Sequence, residues 1–226
     1  MRVWVARHGA RADDDAAWAP PTPDQAWNVP LRPLGFEQAA DLGRALAEAT
    51  PTPTRVVVSP FQRCLQTAAT ALAAGWGERG RWPPVEVDRG LCEVLSLRCV
   101  GDGLDPDPAA WPWPGGSVAA AVAAALGEGV PIVGAWPRYP ETLAAARARF
   151  GVTLPAAAAR AGGSPLFIVT HGECVHRAAA LAGAPGGVGV AHVAPTGVAA
   201  VDAGADGCGW ALAAAQCRGL EWESKP

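Results

Sequence analysis

The segment LFIVTHGECVHRAAALA, residues 166–182, places a short apolar run directly before a helical pattern. The residues at 166–170 are apolar or β-branched and predict a buried strand. After His171-Gly172, an alanine- and leucine-rich pattern predicts a helix across 173–182. A strand followed at once by a helix is typical of parallel sheets, because a helix commonly connects one parallel strand to the next. This segment therefore predicts an α/β fold.

The same alternation recurs along the rest of the chain. A strand is predicted at 55–59 (RVVVS) and a helix at 62–74, while another helical pattern at 35–49 stops at Thr50-Pro51. The remaining predicted strands are short runs rich in apolar residues, at 3–6, 85–88, 198–202 and 210–214. We therefore expect a mostly parallel central sheet with helices on both faces, built as a single domain over residues 1–226.

Two segments interrupt this alternation. Residues 13–33 contain two tryptophans and five prolines, and residues 97–140 hold Trp111, Trp113 and Trp136 among glycines and prolines, with one alanine-rich helical piece. Such composition is typical of chain outside regular sheet structure. Since ligand sites in parallel sheets form beyond the carboxyl ends of the strands, we expect both segments to leave the sheet and border a site.

The composition argues against several classes of function. The chain has 226 residues, a net charge of −3 and 17% charged residues, which disfavours a broad nucleic-acid or membrane surface. Lys225 is the only lysine, so none is available inside the fold for a Walker P-loop or a Schiff base. The scattered cysteines are expected to be reduced and mostly buried. Without a signal-peptide core or a membrane span, we expect a cytoplasmic protein, or an organellar one if a transit peptide has been removed.

Histidine and arginine residues follow the carboxyl ends of separate predicted strands. These sequences are RHG at 7–9, SPFQR at 59–63 and THG at 170–172. Because parallel strands end at the same edge of a sheet, we expect their side chains to converge. The glycine after each histidine is expected to let the backbone approach a ligand, and the following helix N-termini add amide donors for an anion. The pattern predicts an anion-binding site.

The order and spacing of these motifs resemble the first branch of the histidine phosphatase superfamily, which has the phosphoglycerate-mutase-like fold. The resemblance covers roughly residues 2–202. The matching motifs are RHG at 7–9, SPFQRCLQT at 59–67, GLCE at 90–93, THG at 170–172, PLRPLGFEQA at 30–39 and PTGV at 195–198. The resemblance implies a three-layer sandwich. RHGAR and GLCE look most similar to the phosphatase domains of the T-cell-signalling suppressors and the ecdysteroid-phosphate phosphatases.

The resemblance also implies a role for each residue at the strand ends. His8 is the candidate nucleophile, whose neutral imidazole attacks phosphorus and holds the phosphoryl group as phosphohistidine. Arg7, Arg11 and Arg63 would bind the non-bridging phosphate oxygens, since guanidinium groups are planar and permanently charged. A solvated loop position is the alternative for Arg11. His171 would bind phosphate and stabilise charge in the transition state.

The leaving oxygen needs a proton, so the site also requires a general acid. Acid phosphatases of the other branch have an aspartate directly after the second histidine, where this chain has Gly172. Glu93 lies where the first branch keeps its acid. Glu173 is the rival, although a glutamate at the start of a helix is electrostatically favourable without any catalytic role. The chemistry requires no metal and no cofactor.

Trp111 and Trp113 are candidates for a wall around the leaving group, and packing of their segment against the body is the alternative. The sequence thus predicts a cofactor-independent phosphomonoesterase. Its substrate would be a small-molecule or phosphoprotein phosphate ester; no nucleic-acid or membrane partner is expected, and a homodimer is left open.

Two alternatives remain for the function. The first is a catalytically silent member of the fold that serves as a binding or assembly subunit. The second is a phosphoglycerate-type mutase, which the residues after the first strand disfavour. Those mutases read RHG-(Glu/Gln)-(Ser/Thr)-x-x-Asn at this point, whereas this chain reads RHGARADD at 7–14.

Overall fold

The computed structural model describes residues 1–22, 25–100, 104–111, 113, 116–183, 190–213 and 216–222. Its strands are β1 (Arg2–Arg7), β2 (Arg55–Val58), β3 (Val85–Asp88), β4 (Ile132–Val133), β5 (Leu166–Thr170), β6 (Val190–Asp202), β7 (Ala211–Leu212) and β8 (Arg218–Trp222). They form one 8-stranded sheet in the order β4-β3-β2-β5-β1-β6-β7, with β8 also paired to β6. Strands β1 to β5 pair in parallel, and β6 is antiparallel to β1, β7 and β8.

Helices cover both faces of this sheet. They are α1 (Pro33–Ala47), α2 (Gln62–Trp76), α3 (Leu97–Val100), α4 (Val118–Leu126), α5 (Leu143–Arg160) and α6 (Gly172–Leu181). Alternate residues of β5 divide the core, since Phe167 and Val169 pack with α1, α2 and α4. Leu166 and Ile168 pack with α5 and α6 on the opposite face. All residues of β5 are buried, as the continuous apolar run predicts for a central parallel strand.

The α/β prediction, with a mostly parallel sheet and helices on both faces, is confirmed. The prediction that the whole of 97–140 leaves the sheet is wrong, because the chain rejoins the sheet edge at β4, next to β3. The predicted strand at 210–214 is present as β7, and residue 214 lies outside the described residues. So do residues 23–24 of the first interrupting segment and residues 101–103, 112, 114 and 115 of the second.

The cysteines and the helix lengths bear on two other expectations. All of the cysteines are free thiols, and Cys64, Cys92 and Cys174 are buried, whereas Cys99 and Cys208 are exposed. The prediction of mostly buried cysteines therefore holds for Cys64, Cys92 and Cys174 only. Within the described part of the chain, no helix is both long enough and apolar enough to cross a membrane.

Candidate active site

The parallel arrangement brings the sequence motifs together at one edge of the sheet. Strand β5 lies between β2 and β1, so the residues that follow these strands are neighbours. The His8 amide donates to the carbonyl of Thr170 at 2.9 Å, and the Ser59 amide donates to the carbonyl of Val169 at 2.9 Å. The rings of His8 and His171 lie edge to face with centroids 5.4 Å apart. The predicted convergence of these strand ends is therefore present in the fold.

His8 is buried and held in one tautomer. Its Nδ1 donates to the carbonyl oxygen of Gly9 at 2.8 Å, because a carbonyl can only accept. Nε2 therefore carries the lone pair of the neutral ring. Burial, together with the nearby charge of Arg63 and His171, holds the pKa of His8 well below its ordinary value. The ring is thus neutral near pH 7 and presents a nucleophilic nitrogen.

The glycines after the two histidines have different structural roles. A Cβ on Gly9 would lie 2.5 Å from the backbone oxygen of Gly35, so this glycine allows β1 to approach the start of α1. The nearest atom to a Cβ on Gly172 is Cδ of Arg7 at 3.8 Å, which is ordinary contact. Gly172 lines the cavity at the site, whereas Gly9 does not. Gly9 thus makes a close approach to the protein backbone, and its approach to a ligand stays a prediction.

Arg63, on the first turn of α2, brings a buried positive charge to the site. Its side chain is 1% exposed, and Nη2 donates to Oε2 of Glu93 at 3.2 Å. Nε and Nη1 are buried and have no hydrogen-bond partner among the described residues. Buried donors without partners are costly and are typically satisfied by a ligand or by water. These N–H groups are suited to binding an anion.

His171 connects the second strand to the proposed acid. Nε2 lies 2.9 Å from Oγ of Ser59, and Nδ1 lies 3.2 Å from Oε2 of Glu93. Nη2 of Arg63 lies 3.3 Å from the same Nδ1, so this nitrogen lies between a guanidinium that can only donate and a carboxylate that can only accept. Burial lowers the pKa of His171 to about 4, against the attraction of Glu93. The ring is therefore neutral near pH 7 and lies beside the Glu93 carboxylate.

The charge of Glu93 is set by opposing effects. Burial raises the pKa of this carboxyl, but the positive charge of His171 and Arg63 outweighs burial and holds the pKa well below its ordinary value. Because His171 is neutral near pH 7, Arg63 supplies the charge that persists there. Glu93 is thus a carboxylate in the free protein, and it can act as an acid only after it gains a proton.

A small open cavity of about 210 Å³ lies over this edge of the sheet. Its lining residues come from separate strand ends and from α6: Arg7, His8, Arg11, Glu93, Gly172, Glu173, His176, His192 and Val193. Arg7 reaches it and donates through Nη1 to the carbonyl of Val193 at 2.6 Å. The sequence analysis did not assign His176 or His192 to the site. His176 follows Gly172 by one helical turn, a spacing that could have indicated it.

Arg11 and Glu173, the rival candidate for the acid, each have an ion-pair partner. Nε of Arg11 donates to Asp13 at 2.7 Å. Its side chain is 29% exposed, so it lines the cavity while remaining partly solvated. Glu173 is paired with Arg147 at 3.1 Å. Neither residue is bonded to the group formed by His8, Arg63, Glu93 and His171.

The tryptophans predicted to form a substrate wall lie in the core. Trp111 and Trp113 are each 3% exposed and do not line the cavity. Their rings contact Trp27, with centroids 4.7 Å and 5.0 Å away, and Trp113 also packs against Phe61. The substrate-wall interpretation does not fit this placement. Packing of the segment, which was the alternative, fits it because the aromatic rings bury one another.

The same group of side chains could hold a metal ion. One ligand atom from each of His8, Glu93 and His171 lies within 4.8 Å of the others. The guanidinium of Arg63 at 3.2 Å from Glu93 opposes a cation there by electrostatic repulsion. That the chemistry needs no metal stays a prediction.

Burial raises the pKa of the neighbouring Cys64 thiol and of the Cys174 thiol to about 12, so both are protonated.

Comparison with known proteins agrees with this fold. The model of the histidine phosphatase superfamily (branch 1) matches residues 3–112, the part that carries His8, Arg63 and Glu93. No curated protein sequence matches the chain. The resemblance to branch 1 of the histidine phosphatase superfamily is thus confirmed over residues 3–112.

Solved structures with this fold cover nearly the whole chain. The ecdysone phosphate phosphatase of Bombix mori, in complex with tungstate, is 17% identical with a TM-score of 0.70, over 100% of this chain and 96% of that one. A mycobacterial glucosyl-3-phosphoglycerate phosphatase is 19% identical with a TM-score of 0.55, over 94% and 96%. The Entamoeba histolytica phosphoserine phosphatase is 14% identical with a TM-score of 0.57, over 99% and 97%. At these identities the similarity shows the fold, and the predicted subgroup stays a prediction.

Proposed function

We propose that this chain hydrolyses phosphate monoesters through a phosphohistidine formed on His8. The observation that carries the proposal is the buried, neutral His8 ring, whose Nδ1 is held by Gly9 so that Nε2 is left to attack. Arg63 lies close enough to lower the pKa of His8 and has buried N–H groups available for phosphate oxygens. The nucleophile, His8, and the anion-binding N–H groups of Arg63 are therefore neighbours.

In the first step, Nε2 of His8 forms a bond to phosphorus while the bond from phosphorus to the ester oxygen breaks. Glu93 supplies a proton to that oxygen, so the alcohol leaves neutral. In the second step, water attacks phosphorus, the phosphorus–nitrogen bond breaks, and Glu93 takes back a proton from the water. Inorganic phosphate leaves and His8 returns to its neutral form.

Glu93 must gain its proton when the substrate arrives. In the free protein it is held as a carboxylate by Arg63 and His171. A phosphate dianion that binds Arg63 and His171 neutralises or redirects these donors and places negative charge beside the carboxylate. Both changes raise the pKa of Glu93. Substrate binding thereby converts the carboxylate into the acid that the first step requires.

Other residues of the site would bind the phosphate oxygens. Arg7 and His171 join Arg63 in this role, because charge that develops in the transition state is stabilised by fixed donors. Arg11 would contribute only if its guanidinium turns from Asp13 towards the phosphate. A small-molecule or phosphoprotein monoester as substrate and a cytoplasmic location belong to the proposal, as does the absence of nucleic-acid and membrane partners. The net charge of −3 supports the last point.

Trapping of the phosphoenzyme tests the proposal. After rapid quenching with a labelled aryl phosphate, we expect an acid-labile, base-stable phosphoprotein in the wild type and in the control His192→Ala, and none in His8→Ala. His192 is a matched control because it lines the same cavity but is exposed. Full turnover by His8→Ala would disprove the mechanism. If the wild type showed no turnover and formed no phosphoenzyme, the result would favour the silent binding subunit.

A further inference from the structure

Arg149, on α5, uses every hydrogen of its guanidinium on the segment that carries Glu93 and on the carboxylate of Glu141. A guanidinium has five N–H groups. Nη1 donates to the carbonyls of Gly90 at 2.7 Å and Cys92 at 3.0 Å, and Nη2 donates to the carbonyl of Glu93 at 3.1 Å. Nε and Nη2 also donate to the two carboxylate oxygens of Glu141, at 2.9 Å and 2.6 Å. All five N–H groups of the guanidinium are therefore hydrogen-bonded, and its orientation is fixed.

Glu141 extends this contact into a closed structure. Its Oε2 accepts from the amide of Leu95 at 3.2 Å, and its own amide donates to the carbonyl of Leu95 at 2.7 Å. The side chains of Arg149 and Glu141 are only 12% and 6% exposed. We call Arg149 and Glu141, with the backbone of 90–95 that they bind, the clasp. The clasp lies where the 97–140 segment leaves and rejoins the body.

The clasp fixes Glu93 from a second side. Arg63 and His171 hold the carboxylate of Glu93, and Arg149 holds its backbone carbonyl. The carboxylate cannot keep its contacts with Arg63 and His171 once substrate competes for their donors. The backbone contact does not depend on those donors, so it would continue to direct Glu93 at the leaving oxygen. A displacement of about 1 Å at a reacting group can cost about 100-fold in rate.

We propose that Arg149, together with Glu141, is a positioning residue for proton transfer by Glu93. The inference rests on the proposed function. Arg149 touches neither the cavity nor the group formed by His8, Arg63 and His171, and acts through the backbone of Glu93. Lysine cannot replace it, because an ammonium is a point charge with three donors and cannot bind these carbonyls and a carboxylate in one plane.

The test compares two substrates on Arg149→Lys, with Arg160→Lys as the control. Arg160 is also on α5 and forms ion pairs with Glu86 at 2.7 Å and Asp88 at 2.5 Å, on β3. We expect Arg149→Lys to lower kcat for an alkyl phosphate such as glycerol phosphate by about 10- to 100-fold. The loss should be much smaller for p-nitrophenyl phosphate, whose leaving oxygen needs little protonation. Arg160→Lys should lower the melting temperature but change kcat for the two substrates by the same factor.

A double variant supplies a readout that a general loss of stability would not move. In the Glu93→Gln background, Arg149→Lys should cause little further loss on the alkyl phosphate, because the step it serves is already absent. Additive losses, or equal losses on both substrates, would overturn the inference. If Arg149→Lys does not fold, Glu141→Gln decides by the same comparison. A wild type that turns over neither ester would overturn the proposed function and this inference with it.

Discussion

Glu93 accepts a hydrogen bond from Nη2 of Arg63 at 3.2 Å, and the same carboxylate oxygen lies 3.2 Å from Nδ1 of His171. The proposed acid is therefore bound by two groups that are also suited to binding phosphate. Phosphate and Glu93 compete for the same donors. This competition links the protonation of Glu93 to the arrival of the anion.

Binding of inorganic phosphate should therefore be accompanied by proton uptake. Glu93 is ionised in the free protein because its pKa lies well below the ordinary value, and the bound anion raises that pKa. Affinity should fall as the pH rises from the pKa of Glu93 in the free protein to its higher pKa in the complex. Titration calorimetry in buffers with different ionisation enthalpies measures the uptake. Glu93→Gln should lose this component, and an unchanged uptake in that variant would place the proton elsewhere.

Removal of the acid should act selectively on poor leaving groups. Glu93→Gln keeps the shape of the side chain but cannot donate a carboxyl proton, so we expect kcat for alkyl phosphates to fall by about 100- to 10,000-fold. The loss for aryl phosphates should be far smaller. Glu173→Gln is the control, because Glu173 lines the same cavity but is paired with Arg147. If Glu173→Gln showed the selective loss instead, the role of the acid would belong to Glu173.

Gly9 and Gly172 offer a matched pair of substitutions. Gly9→Ala places a methyl group 2.5 Å from the backbone oxygen of Gly35, whereas Gly172→Ala finds its nearest atom at 3.8 Å. We expect Gly9→Ala to lose about 2 kcal/mol or more of unfolding free energy through overpacking, and Gly172→Ala to change it little. Urea denaturation of both variants makes the comparison. Equal stability of the two would show that the start of α1 can move away from β1.

Much of this site could be predicted because parallel strands share an edge. His8, Arg63, Glu93 and His171 are far apart in sequence, but each lies just after a strand, or at the start of the helix that follows one, and the sheet order makes those ends neighbours. Their mutual contacts could not be predicted in the same way. That His171 would bond to Glu93, and that Arg149 would hold its backbone, depends on packing across the sheet.

Three other features escaped the sequence analysis for local reasons. Helix α5 continues through Pro155, which normally disfavours a helix interior. Strand β4 has only two residues, too few to show alternation. The choice between a substrate wall and packing for Trp111 and Trp113 was left open, because a segment rich in glycine and proline has no periodicity that separates core from surface.

Stability should depend on pH through His171. Burial lowers the pKa of this ring from 6.5 to about 4. Between these values the unfolded chain holds a proton that the folded protein does not, so stability falls as the pH is lowered from 6.5 towards 4 and is fully present above 6.5. The effect amounts to about 3 kcal/mol. Urea unfolding measured at several pH values across this range should show that the unfolding free energy of His171→Gln changes less with pH than that of the wild type. An identical slope would assign the dependence to other groups, among them His8.

The buried tryptophans provide a test of stability against specificity. Trp111 and Trp113 fill an aromatic core with Trp27 and Phe61, and their side chains are only 3% exposed. Truncation leaves a large cavity, so Trp111→Ala and Trp113→Ala should each cost about 3–5 kcal/mol of unfolding free energy. Because neither ring lines the cavity, the order of preference among phosphate esters should stay the same. Melting temperature and a panel of esters, measured on the same variants, separate stability from substrate preference.

Trp82→Ala is the control. Trp82 lies on the partly exposed side of the same cluster, so its truncation should cost less unfolding free energy. A changed order of substrates in Trp111→Ala or Trp113→Ala, at temperatures where the variant is folded, would restore the substrate-wall interpretation for that residue.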